Sequence, residues 1–351
     1  MKVDLRPGQL VIGVDTHQQN HHAVALDHAG GWVAGREFPA TVSGYRALLS
    51  WARGLGSPAV FGVESTGSYG AGLARFLLVE GILVLEVNRP DKTTRARDGK
   101  SDPIDAEAAA RAVLAGRAAG LPKVTAGVIE SIRQLKIVHD SAVKARTVAF
   151  NQVRDVVTTA PDTVREQLLP LTNRQRVARA VRFRIDPARL TDPAHAARFA
   201  LQQLATRIRD LDAQISTLKT RLDALVADAL PSLIALPRVG TLTAAQLAIT
   251  AGENLDRFDS EPRFAKLVGT APIPASSGKT HRHRLNRGGD RQANKALHLI
   301  AVGRMQRHQA TCDYVTRRTL EGLSKKDIIR CLKRAITRET YRALRHDLLT
   351  T

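Results

Sequence analysis

Two short apolar runs that each end in a single acid constrain this chain more than any other feature. Residues Leu10 to Val14 lead into Asp15, and residues Ala59 to Val63 lead into Glu64. Runs of this length, rich in valine and bounded by polar turns, read as buried strands, so both carboxylates emerge at strand tips. A third acidic position has a different context. Ser101-Asp102-Pro103-Ile104-Asp105 reads as a helix start, with a capping residue, proline in the first turn and good helix formers from Ala106 to Ala115. The i, i+3 spacing puts Asp102 and Asp105 on one helix face, separated by about 4.5 Å along an axis that rises about 1.5 Å per residue.

Hard oxygen ligands suit magnesium or manganese. Two such ions about 3.5–4 Å apart can activate an attacking oxygen while stabilising a leaving one. Asp15, Glu64, Asp102 and Asp105 therefore form a candidate two-ion site of the kind that cuts or joins nucleic acid. Taken singly, each acid has an ordinary role as a helix cap, a charge at a helix N-terminus or a strand end. Their combined order favours the metal site. His17, His21 and His22 lie close by, but the group lacks a matching set of ligands and reads as a solvated hairpin.

The segments around the acids set the fold class. Residues 10–16, 21–27 and 32–38 read as three strands joined by polar turns, followed by a helix over about 43–53 with Ser43 as cap. A strand at 59–64, a helix near 70–80, a strand at 82–87 and the acidic helix complete the series. A three-strand meander feeding alternating helix and strand is the order of a ribonuclease H-like α/β fold.

The chain carries 53 Lys and Arg against 33 Asp and Glu, a formal charge of +20 that points to a polyanion partner. Residues 271–351 hold 18 of the bases and only 6 of the acids, more than half of the excess. A membrane role is not expected, because no stretch approaches the ~20 consecutive apolar residues of a span and no signal peptide opens the chain. Two cysteines, Cys312 and Cys331, form neither a disulfide framework nor a cysteine-rich zinc site, as in a reducing cytoplasm.

Three segments carry a specific resemblance. Val11-Ile12-Gly13-Val14-Asp15, Gly62-Val63-Glu64-Ser65-Thr66-Gly67-Ser68-Tyr69 and Lys100-Ser101-Asp102-Pro103-Ile104-Asp105-Ala106 resemble the RuvC-like domain of DEDD insertion-sequence transposases, the family of bridge-RNA-guided recombinases that also contains Piv-type invertases. Leu236-Pro237-Arg238-Val239-Gly240, Thr243-Ala244-Ala245, Phe264 to Gly269, Ser276-Ser277-Gly278-Lys279 and Asn286-Arg287-Gly288-Gly289-Asp290 resemble that family's C-terminal transposase domain. The resemblance spans most of the chain except roughly 160–195.

Several expectations follow from it. The four acids and a serine come together in a composite site, where the serine attacks a DNA phosphate and forms a transient phosphoserine link. Ser277 matches the family's serine before glycine, with Ser276 as the alternative. A structured noncoding RNA guides the family to donor and target DNA, and its members assemble as oligomers, dimers that become tetramers in synapsis. The turn at Pro237–Gly240 looks like a helix-hairpin-helix turn that holds a phosphate on backbone amides. Where the family carries glycine, this chain has Arg238, which implies either a different backbone geometry or a phosphate contact by Arg238 itself. Lys279, His281, Arg282, His283, Arg284, Arg287 and Arg291 supply positive charge around the serine block.

Three domains are expected: 1–122 RuvC-like, 123–230 helical with a coiled coil, and 231–351 mainly α. Residues 124–158 read as a basic helical stretch, and 159–195, with four prolines, as a connection with short helices. Leu201, Leu204, Ile208, Leu211, Ile215, Leu218, Leu222 and Leu225 then repeat at steps of three and four, a coiled-coil seam that self-association or packing within the chain would produce. The leading reading is a DNA transposase. The alternatives are a RuvC-like invertase or structure-selective nuclease without a guide RNA, and a non-catalytic nucleic-acid-binding protein on the same fold.

Overall fold

The computed structural model describes residues 3–87, 101–118, 120–124, 126–277 and 283–350. Strands β1 (Gln9–Thr16), β2 (Asn20–Leu26), β3 (Trp32–Pro39), β4 (Ser57–Glu64) and β5 (Leu83–Val87) form one five-stranded sheet in the order β3-β2-β1-β4-β5. The first three strands form an antiparallel meander, while β4 and β5 join parallel to β1. Parallel pairing requires crossovers. Helices α1 (Val42–Leu55) and α2 (Ala71–Val79) lie in the connections after β3 and β4. The cap of α1 is Thr41, whose hydroxyl accepts from Gly44 N at 3.2 Å, and the expected cap Ser43 lies inside the helix.

Strand parity decides what each face of this sheet holds. On one face Leu10, Ile12, Val14, Phe61 and Val63 pack with Tyr45, Leu48 and Leu49 of α1 and Leu73 and Leu77 of α2. On the other face Val11, Val60, Leu85 and Val87 pack against Ala106, Ala109, Ala110 and Val113 of helix α3 (Asp102–Leu114). This second layer is unusually close. A Cβ on Gly13 would fall 2.0 Å from Ala106 O and 2.4 Å from Ala110 N, and one on Gly62 would fall 2.6 Å from Val113 Cγ2.

The two glycines and the alanine-rich face of α3 let helix and sheet backbones approach, and side chains of any size would hold them apart. Gly13→Val is accordingly expected to destabilise the N-terminal sheet by about 1–3 kcal/mol or more, because the obstruction is backbone and has no rotamer to yield. Thermal unfolding of the purified variant measures this, and an unchanged melting temperature would contradict the close α3 packing.

The chain divides into two compact units, Met1–Ile129 with Thr250–Asn294 and Arg330–Tyr341, and Glu130–Ile249 with Lys295–Ile329 and Arg342–Thr351. Within the first, Pro122, Val124, Gly127 and Ile129 are laced to the segment after the helix Thr241–Ala251. Glu253 accepts from Gly127 N and Ile129 N at 2.9 and 2.8 Å, and Asn254 bonds both Val124 N and Pro122 O.

The second unit is helical. Helix α4 (Val128–Thr159) is followed by α5 (Asp162–Leu168), α6 (Asn173–Ala180) and the 37-residue α7 (Pro193–Ala229). Ala149, Val153 and Val157 of α4 share one core with Leu201, Ala205 and Ile208 of α7, so packing within the chain covers this part of the leucine stripe. Leu222 is also buried, whereas Leu211, Ile215 and Leu218 are half-buried.

Candidate active site and nucleic-acid interface

The parity that sends Gly13 and Gly62 toward α3 sends Asp15 and Glu64 the same way, two residues further along each strand. Both acids are buried, at 6% and 2% exposure. The strand ends are tied together by Thr16 Oγ1, which donates to Glu64 O at 3.1 Å. Just beyond Glu64 the chain turns sharply. Ser65 adopts a left-handed φ of 49°, and its carbonyl accepts from Ser68 N and Gly70 N at 2.8 and 3.1 Å. The turn is tight enough that a Cβ on Gly70 would lie 2.6 Å from Glu64 O.

The other two acids arrive on α3. Ser101 is its extended N-cap residue, Asp105 N donates to Ser101 O at 3.0 Å, and Pro103 occupies the first turn, as the sequence predicts. Asp105 is buried at 7% exposure while Asp102 is exposed. Both carboxylates stand at the positive end of the helix, where negative charge is favoured.

His17 departs from the sequence expectation. It stands with the acids as a neighbour of two carboxylates: Nε2 is 3.0 Å from Asp15 Oδ2 and 3.4 Å from Asp102 Oδ1. Asp15, His17 and Asp102 each offer one ligand atom within 4.8 Å of the others, and Glu64 and Asp105 stand outside that group. A cavity of about 350 Å³ opens beside it, bordered by His17, Asp102, His22, Glu37 and the Gln18-Gln19-Asn20 turn.

His22 pairs laterally with Asp15 on one side and Glu37 on the other, so the three share a sheet face. His21 points to the opposite face. It is fully buried, stacked on Tyr45 with ring centroids 5.7 Å apart, and its Nδ1 donates to Asn20 O at 3.1 Å. Burial pushes its pKa below the ordinary histidine value. The three histidines thus have three separate environments in place of one solvated hairpin.

The donor set fits a divalent cation. Among the described residues no ion pair joins a lysine or arginine to Asp15, Asp102 or Asp105, and one oxygen each of Asp15 and Asp102 stands with His17 Nε2 inside 4.8 Å, two carboxylates and an imidazole of the kind that ligate such an ion.

The turn at Pro237–Gly240 keeps the geometry of a glycine. Arg238 has a left-handed φ of 62°, a conformation open to glycine that imposes a strain of about 1–2 kcal/mol on an arginine. Two residues of the helix Arg291–Arg307 brace it. Arg238 Nε donates to Gly303 O at 3.2 Å and Arg304 Nε to Pro237 O at 2.9 Å. Gly240 O accepts from Thr243 N and Ala244 N and so opens the helix Thr241–Ala251.

Ser276 and Ser277 are both exposed. They follow strand β6 (Ile273–Pro274), which pairs antiparallel with β7 (His283–Arg284). Lys279, His281 and Arg282 lie outside the described residues. Neither serine borders the cavity beside the acids. Arg284, Arg287 and Arg291 are exposed, and Arg287 and Arg291 line a second cavity of about 210 Å³ with Asn286 and Asn294. Its frame is hydrogen-bonded. Asp290 caps the helix Arg291–Arg307 by accepting from Gln292 N and Ala293 N, and Asn294 donates to Val268 O and Gly269 O.

Comparison with known proteins places both regions. A family model described as a transposase, the DEDD type of IS110, matches residues 12–160. A second, described as "Transposase IS116/IS110/IS902 family", matches residues 231–316. Both matched segments are therefore similar to transposases of the IS110 type. Among curated proteins it is 34% identical over 122 residues to the "Insertion element IS110 uncharacterized 43.6 kDa protein" of Streptomyces coelicolor. That match covers 34% of this chain and 30% of the relative's length. Asp15, Glu64, Asp102 and Asp105 all fall within the first matched segment, and Arg238 and Ser277 within the second. No helix among the described residues is long and apolar enough to cross a membrane.

Proposed function

We propose that this chain is a DNA transposase that cuts and rejoins DNA with a RuvC-like acid site and a serine nucleophile. The observation that supports the reading most is on one sheet face: strand parity turns Asp15 and Glu64 toward α3, which starts with Asp102 and Asp105, and Asp102 stands with Asp15 and His17 inside 4.8 Å. Asp15, Glu64, Asp102 and Asp105 would hold magnesium or manganese, two ions in the full site, which when bound activate an attacking oxygen and stabilise a leaving one. Around them Thr16 and the Ser65 turn hold the strand ends in register, and the N-terminus of α3 favours its own two carboxylates.

Ser277 Oγ attacks a DNA phosphate, forms the phosphoserine ester and releases one deoxyribose oxygen, which takes a proton as it leaves. The released hydroxyl of a new partner strand later reverses the step. Lys279, Arg282, Arg284, Arg287, Arg291 and Arg238 neutralise backbone phosphates. A chain of +20 net charge with 4% aromatic residues is suited to gripping phosphates more than to stacking bases, which fits a partnership with DNA and a structured noncoding guide RNA. The functional division is 1–122, 123–230 and 231–351, with the work done in the cytoplasm. Incubating the chain with DNA carrying element ends, a target and RNA transcribed from the flanking sequence tests the reading. Joined products that require the RNA support it, and cleavage without joining favours the nuclease alternative.

Assembly into dimers, and tetramers in synapsis, would use the exposed side of the α7 stripe. Leu211, Ile215 and Leu218 are half-buried where Leu201 and Ile208 are covered, which leaves apolar surface for a second copy. Replacing both Leu211 and Leu218 with polar residues is expected to lower the mass seen by light scattering and to reduce recombination in parallel. An unchanged mass would assign the stripe to packing within the chain alone.

A further inference from the structure

We infer that His17 is a nitrogen ligand of the cation site, and that the site for this reason favours manganese, or another transition-metal divalent ion, over magnesium. The inference rests on the acid-site reading above and names the ion that this site selects. Along the end of β1, Asp15 faces α3, Thr16 faces away and bonds Glu64 O, and His17 returns to the face of Asp15. His17 N donates to Asn20 O at 3.1 Å, so the residue starts a closed turn and its backbone is held in place. Its Nε2 stands between two carboxylates that come from different elements, one on β1 and one on α3.

The spacing suits a shared ion. Donors each about 2.2 Å from one cation stand about 3 Å apart at right angles and about 4.4 Å apart across it. The distances of 3.0 and 3.4 Å from Nε2 lie in that range, and the two carboxylate oxygens are within 4.8 Å of each other. The ring is 52% exposed, and the cavity of about 350 Å³ lies beside it, so an ion held there keeps an open side for water or a phosphate oxygen. Magnesium takes oxygen donors and sheds water reluctantly, whereas imidazole suits the later first-row metals, so one nitrogen among carboxylates biases the choice. A site of four carboxylates alone carries no such bias.

Titrating manganese alone into the full-length chain, without nucleic acid, tests this by pulsed electron paramagnetic resonance. The expected result is nitrogen modulation from a directly bound imidazole, lost in His17→Gln although His21 and His22 are still present. His17→Gln is also expected to weaken manganese binding by about tenfold or more while changing magnesium binding, read by competition, much less. Circular dichroism confirms that the variant is folded. Bound manganese without nitrogen modulation, or equal modulation in His17→Gln, overturns the assignment and leaves His17 as a hydrogen-bonding neighbour of Asp15. Failure of the acid-site reading looks different: wild type binds no manganese, or Asp15→Asn and Glu64→Gln bind it as wild type does, and the inference falls with it.

Discussion

Alanine at any one of Asp15, Glu64, Asp102 or Asp105 is expected to lower DNA strand cleavage by about 10²–10³-fold or more while nucleic-acid affinity stays within about threefold. The two effects separate because they come from different atoms. In the proposed mechanism cleavage uses the hard carboxylate oxygens at the tips of β1 and β4 and on the first turn of α3. Affinity comes from lysine and arginine contacts with phosphate, and the basic excess is concentrated in residues 271–351, remote in sequence from the acids. Each variant is measured twice, by release of end-labelled fragments in magnesium or manganese and by a binding isotherm at fixed salt. Full metal-dependent cleavage in any two of the four removes the four-acid assignment.

The variants also rank the sites. Asp15 and Asp102 share the close group with His17, whereas Glu64 and Asp105 are buried outside it. Loss of metal binding is therefore expected to be steepest for Asp15→Ala and Asp102→Ala. Comparable losses at Glu64 and Asp105 would indicate that the four act as one ligand set once an ion is present.

Much of this site was legible in the chain because its placement depends on period-two alternation. An apolar run ending in an acid fixes both the strand and the face, and the spacing of Gly13 to Asp15 repeats in Gly62 to Glu64. The helix start at Ser101 was equally readable, since proline and acids at a helix N-terminus have local causes. The role of His17 was not. Its neighbour Asp102 lies 85 residues away in sequence, and only the packing of α3 on two glycines brings Nε2 to both acids. His21 was misread for a related reason. A histidine next to a polar turn has no local mark of burial, and its stacking on Tyr45 is set by the first crossover helix.

Arg238 shows the reverse case. The glycine-to-arginine departure suggested either a different backbone geometry or a phosphate contact, and Arg238 adopts a left-handed φ of 62°, a conformation that glycine takes without strain. The leucine stripe of α7 was visible, but its period is indifferent to whether the facing helix belongs to the same chain. The structure supplies α4 as one such neighbour and leaves Leu211, Ile215 and Leu218 half-covered.

Ser277→Ala is expected to remove the covalent protein–DNA intermediate entirely while DNA and RNA still bind. Serine is a weak nucleophile at neutral pH, so its participation requires activation and a cationic surround for the phosphoryl group. Ser277 is exposed, three residues after a strand that pairs with His283 and Arg284, and Arg287 and Arg291 follow along the chain in a hydrogen-bonded loop and helix start. A phosphoserine ester stores the broken phosphodiester for rejoining, whereas hydrolysis would discard it, and a transposase that joins strands without an external energy source needs the first course. On a denaturing gel with end-labelled DNA, wild type should give a protein-linked band and Ser277→Ala none. If Ser276→Ala removes the band and Ser277→Ala leaves it, the nucleophile moves by one residue. If neither changes cleavage and no adduct forms in wild type, the acids alone hydrolyse DNA, and the chain acts as a RuvC-like nuclease in which the basic C-terminal region serves only to hold the substrate.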